Sequence, residues 1–337
     1  MAEPLKKVLV DPSFRRMEEI FHADDLDRLQ ACCDVIWGQN EPLSESEIQR
    51  VKADAFAIVT ANWRYGDLSE MPKLKAILEV AGRHPSPTAL DYEYCRIHGI
   101  RVLSCAPAFG PMVAEMALGM AIDAAREITF GHELIRRGDE EYLGDGNKGT
   151  FSLYGKRVGL IGLGGLANAL IPLLEPFQCQ LQGFDPWRTD AFIRHQGVEP
   201  VDLDGLLETS QYIFVLAIPS NENQALLSRT KLEKIASEAV LVLMSRAHVV
   251  DFDVLTEKLL ERRFRAAIDV FPEEPLPPNH PIRNAPNVVL SAHRAGSLEG
   301  DSRLIGRLVV DDIEALVNGL PPWHMQPAEP EIVSRLT

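Results

Sequence analysis

The chain has 337 residues, 46% of them hydrophobic and 25% charged, with a formal net charge of −15. That length exceeds what one core comfortably fills and predicts two domains of ordinary globular composition. The excess of acid argues against a nucleic-acid partner, which requires a basic face.

The opening stretch MAEPLKKVLVDP has too short an apolar run for a signal peptide, and no later segment reads as a membrane span. A cytoplasmic protein with no membrane contact is expected. Over roughly the first hundred residues, short apolar runs (KKVLV, DAFAIVT, KLKAILEV, GIRVLS) alternate with amphipathic stretches, the mark of βα units around a parallel sheet. Ser44 and Glu47 have the spacing of a capping box. The cysteines, Cys32, Cys33, Cys95, Cys105 and Cys179, lack metal-binding spacing and read as reduced, buried side chains, so no metal is expected.

From Met112 to about Ile135, Val113, Met116, Ala117, Met120, Ala121, Ala124 and Ile128 recur at helical spacing. This predicts one long helix whose Met- and Ala-rich face is either internal packing or a subunit interface. A second alternating series starts at KRVGLIG and runs to NVVLSAH, and SLEGDSRLIGRLVVDDIEALVNG then reads as a helix closed by Gly319. The final residues are expected to be loosely ordered.

KRVGLIGLGGLANAL places Gly162, Gly164 and Ala167 between a strand and a helix. Gly162 permits a tight turn, Gly164 lets backbone amides approach a pyrophosphate, and Ala167 allows helix and strand to pack closely. Gly162, Leu163, Gly164, Gly165 and Leu166 thus form a candidate phosphate loop, with the helix N-terminus adding partial positive charge. About twenty residues on, Asp185 ends the next strand, where a carboxylate accepts bonds from ribose hydroxyls and repels a 2′-phosphate. NAD is therefore expected rather than NADP, although Arg188 stands nearby. Pro219 closes the run YIFVLAIP and joins the candidate cofactor residues.

Strands of a parallel α/β sheet all end at the edge that carries the glycine loop, so Arg246, the turn from Asp269 to Glu274, and His293 should gather there. A 2-oxo acid needs a guanidinium for its carboxylate and a proton donor for the oxygen that becomes a hydroxyl. Arg246 fits the first role and His293 the second. A carboxylate beside the imidazole fixes its orientation and favours its charged form. Glu274, held extended by Pro275, is assigned to His293 in preference to Glu273, and Asp269 is expected to face the nicotinamide carboxamide. The plainer alternative is that Arg246 and His293 only satisfy strand-end carbonyls.

In this order the stretches LKAILEVAG, HGIRVLSCAP, VAEMALGMAIDAARE, GKRVGLIGLGGLA, SRAHVVD, DVFPEEPLP and NVVLSAHRAG resemble the D-isomer-specific 2-hydroxyacid dehydrogenases, especially the phosphoglycerate dehydrogenase-like branch. The resemblance covers most of the chain. It implies two Rossmann-like or flavodoxin-like parallel-sheet domains, a nucleotide domain (106–297) inserted in a substrate domain (1–105 with 298–337), with hinges near Ala106 and Ser297. It also implies a catalytic triad of Arg246, Glu274 and His293, and a homodimer formed through the long helix. The expected activity is NAD-dependent interconversion of a D-2-hydroxy acid and its 2-oxo acid, phosphoglycerate dehydrogenase-like or glyoxylate/hydroxypyruvate reductase-like. This sequence departs from the family pattern at Ala247, Ala292 and Phe109, in LAIPSN, and in the substrate loop AGRHPSPTALD. Gly82 and Arg83 in that loop, and Arg64 in NWRYGD, become candidate substrate residues, the arginines for a second anionic group such as a phosphate. The role of His84 stays open. The altered loop leaves a nucleotide-sensing regulator of the same fold as the alternative to an enzyme.

Overall fold

The computed structural model describes residues 4–296 and 298–335; Ser297, the expected second hinge, lies outside them. The chain divides after Phe109 and again after Gly296, so Gly110–Gly296 forms a unit inserted in the other. The first break falls a few residues beyond the boundary predicted at 105/106.

In the first unit, β1 (Lys6–Asp11), β2 (Cys33–Val35), β3 (Ala57–Thr60), β4 (Ala76–Glu79) and β5 (Arg101–Ser104) form a parallel sheet in the order β2-β1-β3-β4-β5. This is the flavodoxin-like winding. Alternation along the strands separates two cores: Val8, Val10, Val59 and Leu78 pack with Ile305, Val309 and Ile313 of the helix Arg303–Val317, while Leu9, Ile58 and Ile77 pack on the opposite face. Ser44 and Glu47 do form the capping box at Glu45–Val51. Gly319, at φ 73°, closes the helix Arg303–Val317 as its C-terminal signal predicts.

The tail differs from expectation. Gln326–Pro327 adds an antiparallel edge strand to β5, because the buried Asp312 carboxylate accepts from the amides of Trp323, His324 and Met325 at 2.8, 2.9 and 2.8 Å.

The second unit holds seven parallel strands, β6 (Arg157–Ile161), β7 (Gln180–Phe184), β8 (Glu199–Pro200), β9 (Tyr212–Val215), β10 (Val240–Leu243), β11 (Arg265–Ile268) and β12 (Val288–Leu290), in the order β8-β7-β6-β9-β10-β11-β12. This is the doubly wound Rossmann arrangement with one strand added.

The predicted long helix is two. Gly110–Arg126 ends where Glu127 takes a left-handed conformation (φ 55°), and Ile128–Arg137 follows. Glu127 accepts from Arg265 at 3.0 Å, while Asp123 reaches forward to the Thr129 amide at 2.8 Å, so both sides of the break are tied. The Met- and Ala-rich face is internal: Val113, Ala117, Met120, Ala121 and Ala124 are buried, and their helix packs on Gly165–Leu174, β10 and β11. Contrary to expectation, Ala106–Arg126 is long and apolar enough by length and composition alone to cross a membrane, yet more than half of that window is buried in the fold.

Candidate active site

The glycine loop leaves β6 at Gly162, whose φ is 90°, and a Cβ there would lie 2.6 Å from the Ala217 Cα. Only glycine fits this turn. Gly164 caps the helix Gly165–Leu174 without any side-chain bond, and a Cβ on Gly164 or Gly165 would meet open space. The first-turn amides at Leu166 and Ala167 therefore sit behind an uncovered approach, which suits the pyrophosphate of NAD. Leu163 takes a different part: its side chain is buried, and its amide donates to Asp185 Oδ2 at 2.7 Å. Asp185 also accepts from the Trp187 amide at 2.9 Å, which fixes the carboxylate at the end of β7 where ribose hydroxyls would meet it. Arg188 lies over the ring of Phe192 at 4.8 Å. Beyond β9, the Pro219 loop is pinned by Asn223, whose Oδ1 accepts from the Ser220 amide at 2.8 Å, and by His248, whose Nε2 is 3.0 Å from the Ser220 carbonyl.

At the ends of β11 and β12 the structure brings Glu274 and His293 together. His293 Nδ1 lies 2.6 Å from Glu274 Oε2, and the Phe271 amide donates to Oε1 at 3.0 Å. Partial burial works to raise the Glu274 carboxyl, but the bond to His293, the Phe271 amide and the charges of His293 and Arg246 outweigh it and hold the group below its ordinary range. An ionised carboxylate only accepts, so Nδ1 carries the proton toward Glu274 and Nε2 is left for other work. Arg246, exposed directly after β10, has one guanidinium nitrogen anchored on the Ser245 carbonyl at 2.8 Å.

Asp269 is held by the turn that leads into and out of His293. It is 1% exposed, its oxygens accept from the amides of Arg294 and Ala295 at 2.9 and 3.1 Å, and its carbonyl accepts from His293 N at 2.8 Å. His293 itself sits at φ 52°. A non-glycine residue there costs roughly 1–2 kcal/mol. Asp269 therefore builds the turn that carries the imidazole.

In the first unit, β4 ends at Glu79, 1% exposed, whose carboxylate accepts from Ala81 N at 2.8 Å and Arg83 N at 3.0 Å. Burial pushes this carboxyl up to about 7 against those bonds. Glu79 thus shapes the loop that holds Gly82 and Arg83, a part the sequence reading missed; the signal was a carboxylate closing an all-apolar strand. Gly82, at φ 85°, presses on the Phe109 ring, where a Cβ would approach to 2.7 Å. Burial lowers the His84 imidazole to about 4. Arg64 is partly committed to the fold: its Nη2 donates at 2.6 Å to both Asp11 and the Leu43 carbonyl, and Tyr65 donates to the same Asp11 at 2.7 Å. A free outward fork, as expected for substrate, is not what Arg64 presents.

A family model described as "D-isomer specific 2-hydroxyacid dehydrogenase, NAD binding domain" matches residues 118–295. The chain is 30% identical to a glyoxylate reductase of Thermofilum pendens over 314 residues, covering 88% of this chain and 89% of that protein. The chain belongs to the D-isomer specific 2-hydroxyacid dehydrogenase family. It is an NAD-linked oxidoreductase of D-2-hydroxy acids. A D-3-phosphoglycerate dehydrogenase of Methanocaldococcus jannaschii is 29% identical over 232 residues, 68% of this chain and 44% of that protein. Among solved structures, a phosphoglycerate oxidoreductase from Rhizobium etli aligns with a TM-score of 0.85 at 30% identity, covering 97% of this chain and 99% of that one.

Proposed function

We propose that the protein reduces a small 2-oxo acid, glyoxylate- or hydroxypyruvate-like or phosphorylated, to its D-2-hydroxy acid, and catalyses the reverse. NAD, when bound, supplies or accepts the hydride. Arg246 grips the substrate carboxylate and carbonyl, and the Nε2 of His293 gives its proton to the carbonyl oxygen. Glu274 orients the imidazole through its bond to Nδ1. The 2.6 Å contact between His293 Nδ1 and Glu274 Oε2 carries this assignment, because it leaves Nε2 as the proton donor. The first unit is the substrate domain, contributing Gly82 and Arg83.

A homodimer is part of the same proposal, with its support moved from the Met-rich face to the shorter helix. Ile128–Arg137 buries none of its residues, and Ile128, Phe130 and Ile135 are exposed. Cytoplasmic residence is likewise proposed.

The test is NADH oxidation against glyoxylate, hydroxypyruvate and phosphohydroxypyruvate. His293→Ala and Arg246→Ala should lose most turnover while still binding NADH. Wild-type-like turnover in both variants would overturn the assignment, and a wild type inert toward every acid would favour the regulatory alternative.

A further inference from the structure

In the second unit β9 runs between β6, which carries the glycine turn, and β10, which carries Arg246. The loop that leaves β9 is therefore flanked by the coenzyme turn on one side and by the substrate arginine on the other. It lies directly against the first: a Cβ on Gly162 would stand 2.6 Å from the Ala217 Cα. Its link to the second runs through His248, two residues past Arg246 on the single 3-10 turn Ala247–Val249 that Arg246 caps.

His248 holds that loop at both ends. Its Nε2 is 3.0 Å from the Ser220 carbonyl, and because a carbonyl only accepts, Nε2 carries the hydrogen. Its own carbonyl accepts from the Ala225 amide at 2.9 Å, where the loop returns through a left-handed residue at φ 48°. Ser220 is fully enclosed, with its amide bonded to Asn223 Oδ1 at 2.8 Å and its hydroxyl accepting from the Glu222 amide at 3.3 Å. Removing the imidazole donor takes a hydrogen bond from a buried carbonyl, and the loop must move to replace it. The turn beneath Arg246 is tight, closed by the Val249 amide on the Arg246 carbonyl at 3.4 Å and the Val250 amide on the Ala247 carbonyl at 3.0 Å, so a shift at His248 is passed to the arginine. His22 and His280 show what a histidine serving only its own turn looks like here: each accepts from the amide two residues ahead, at 3.3 Å. His248 instead reaches back 28 residues, into the LAIPSN stretch where the sequence departs from its family.

We propose that His248 is a positioning residue that clasps the Pro219 loop to the Arg246 turn, so that one side chain sets both the wall of the coenzyme crevice and the grip on the substrate carboxylate. This rests on the roles given above to Arg246 and to the Pro219 loop. His248 itself touches neither NAD nor the 2-oxo acid; it acts through the two segments that do.

The experiment compares wild type, His248→Phe, which keeps a ring and loses the donor, and His248→Gln, whose side-chain amide offers an N–H in place of Nε2. NADH affinity is read from coenzyme fluorescence, and KM and kcat from NADH oxidation with the 2-oxo acid the wild type reduces best. His248→Phe should raise both the Kd for NADH and the KM for the acid by about 3- to 10-fold, the worth of one hydrogen bond. Its kcat should stay close to wild type, because the Glu274–His293 pair stands after β11 and β12. His248→Gln should bring both affinities back toward wild type. A change in only one of the two affinities, a loss of kcat alone, or a Gln variant no better than Phe overturns the proposal. So does a lowered unfolding temperature with both affinities intact, which would make His248 a residue of the fold only. If the wild type reduces no 2-oxo acid, the functional assignment fails. The clasp is then judged by NADH affinity and by thermal stabilisation of the full chain with oxalate: both weakened in His248→Phe and restored in His248→Gln supports it, and either one unchanged in His248→Phe overturns it.

Discussion

Replacing Asp269 by Asn separates two roles for this residue that the sequence could not distinguish. The carboxylate offers an oxygen to each of the Arg294 and Ala295 amides from a fully enclosed position. Asn has one acceptor oxygen, and its amide group would meet an N–H with another N–H. Losing one charge-assisted bond costs about 1.5–3 kcal/mol. The left-handed backbone of His293, which these bonds sustain, relaxes at the same time with a release of about 1–2 kcal/mol. The difference between the two, up to about 2 kcal/mol, is what holds the imidazole in place during proton transfer, so kcat falls on the order of 10-fold. The assay is steady-state NADH oxidation at saturating 2-oxo acid, with NADH affinity measured separately by fluorescence and unfolding temperature recorded. The expected result is low kcat, unchanged NADH affinity and a lowered unfolding temperature. Weakened NADH binding with kcat preserved would refute the structural role and restore a contact with the nicotinamide.

Gly162→Ala should destabilise the protein by about 3 kcal/mol, since it forces a Cβ against the Ala217 backbone at positive φ; urea denaturation matching wild type would contradict this. Burial pushes the Glu79 carboxyl up to about 7 in the fold, from an ordinary 4.5. The folded state therefore holds the proton longer, and its stabilising contribution, complete below about 4.5, drains away as pH rises toward 7. The slope amounts to up to about 3 kcal/mol. It should vanish in Glu79→Gln when unfolding free energy is followed against pH. Arg64→Ala strands the fully buried Asp11 carboxylate and should cost about 3 kcal/mol in thermal unfolding; an unmoved unfolding temperature with a changed KM would return Arg64 to substrate binding.

Much of the fold was legible because its signals are local. The Gly162 turn, the Asp185 strand end and the capping box at Ser44 each lie within a few residues of the element they define. The pairing of Glu274 with His293 was legible for a different reason: parallel strands end at one edge, and the chemistry of a 2-oxo acid names the side chains needed there. What stayed hidden depended on direction or distance. Nothing in AIDVF tells which way the Asp269 carboxylate turns. The break at Glu127 carries neither Gly nor Pro, and the apolar period runs through it unbroken. The tail is anchored by Asp312, which looks in sequence like a solvated helix carboxylate.

The layer made by Ile305, Val309 and Ile313 is synthesised after the inserted unit, yet it covers a sheet laid down before that unit. The inserted unit is continuous and complete by Gly296, so it can close on the ribosome while Val8, Val10, Val59 and Leu78 still lack their cover. Chains ending at Gly296 and released from the ribosome should therefore resist protease in their later half and yield in their earlier one.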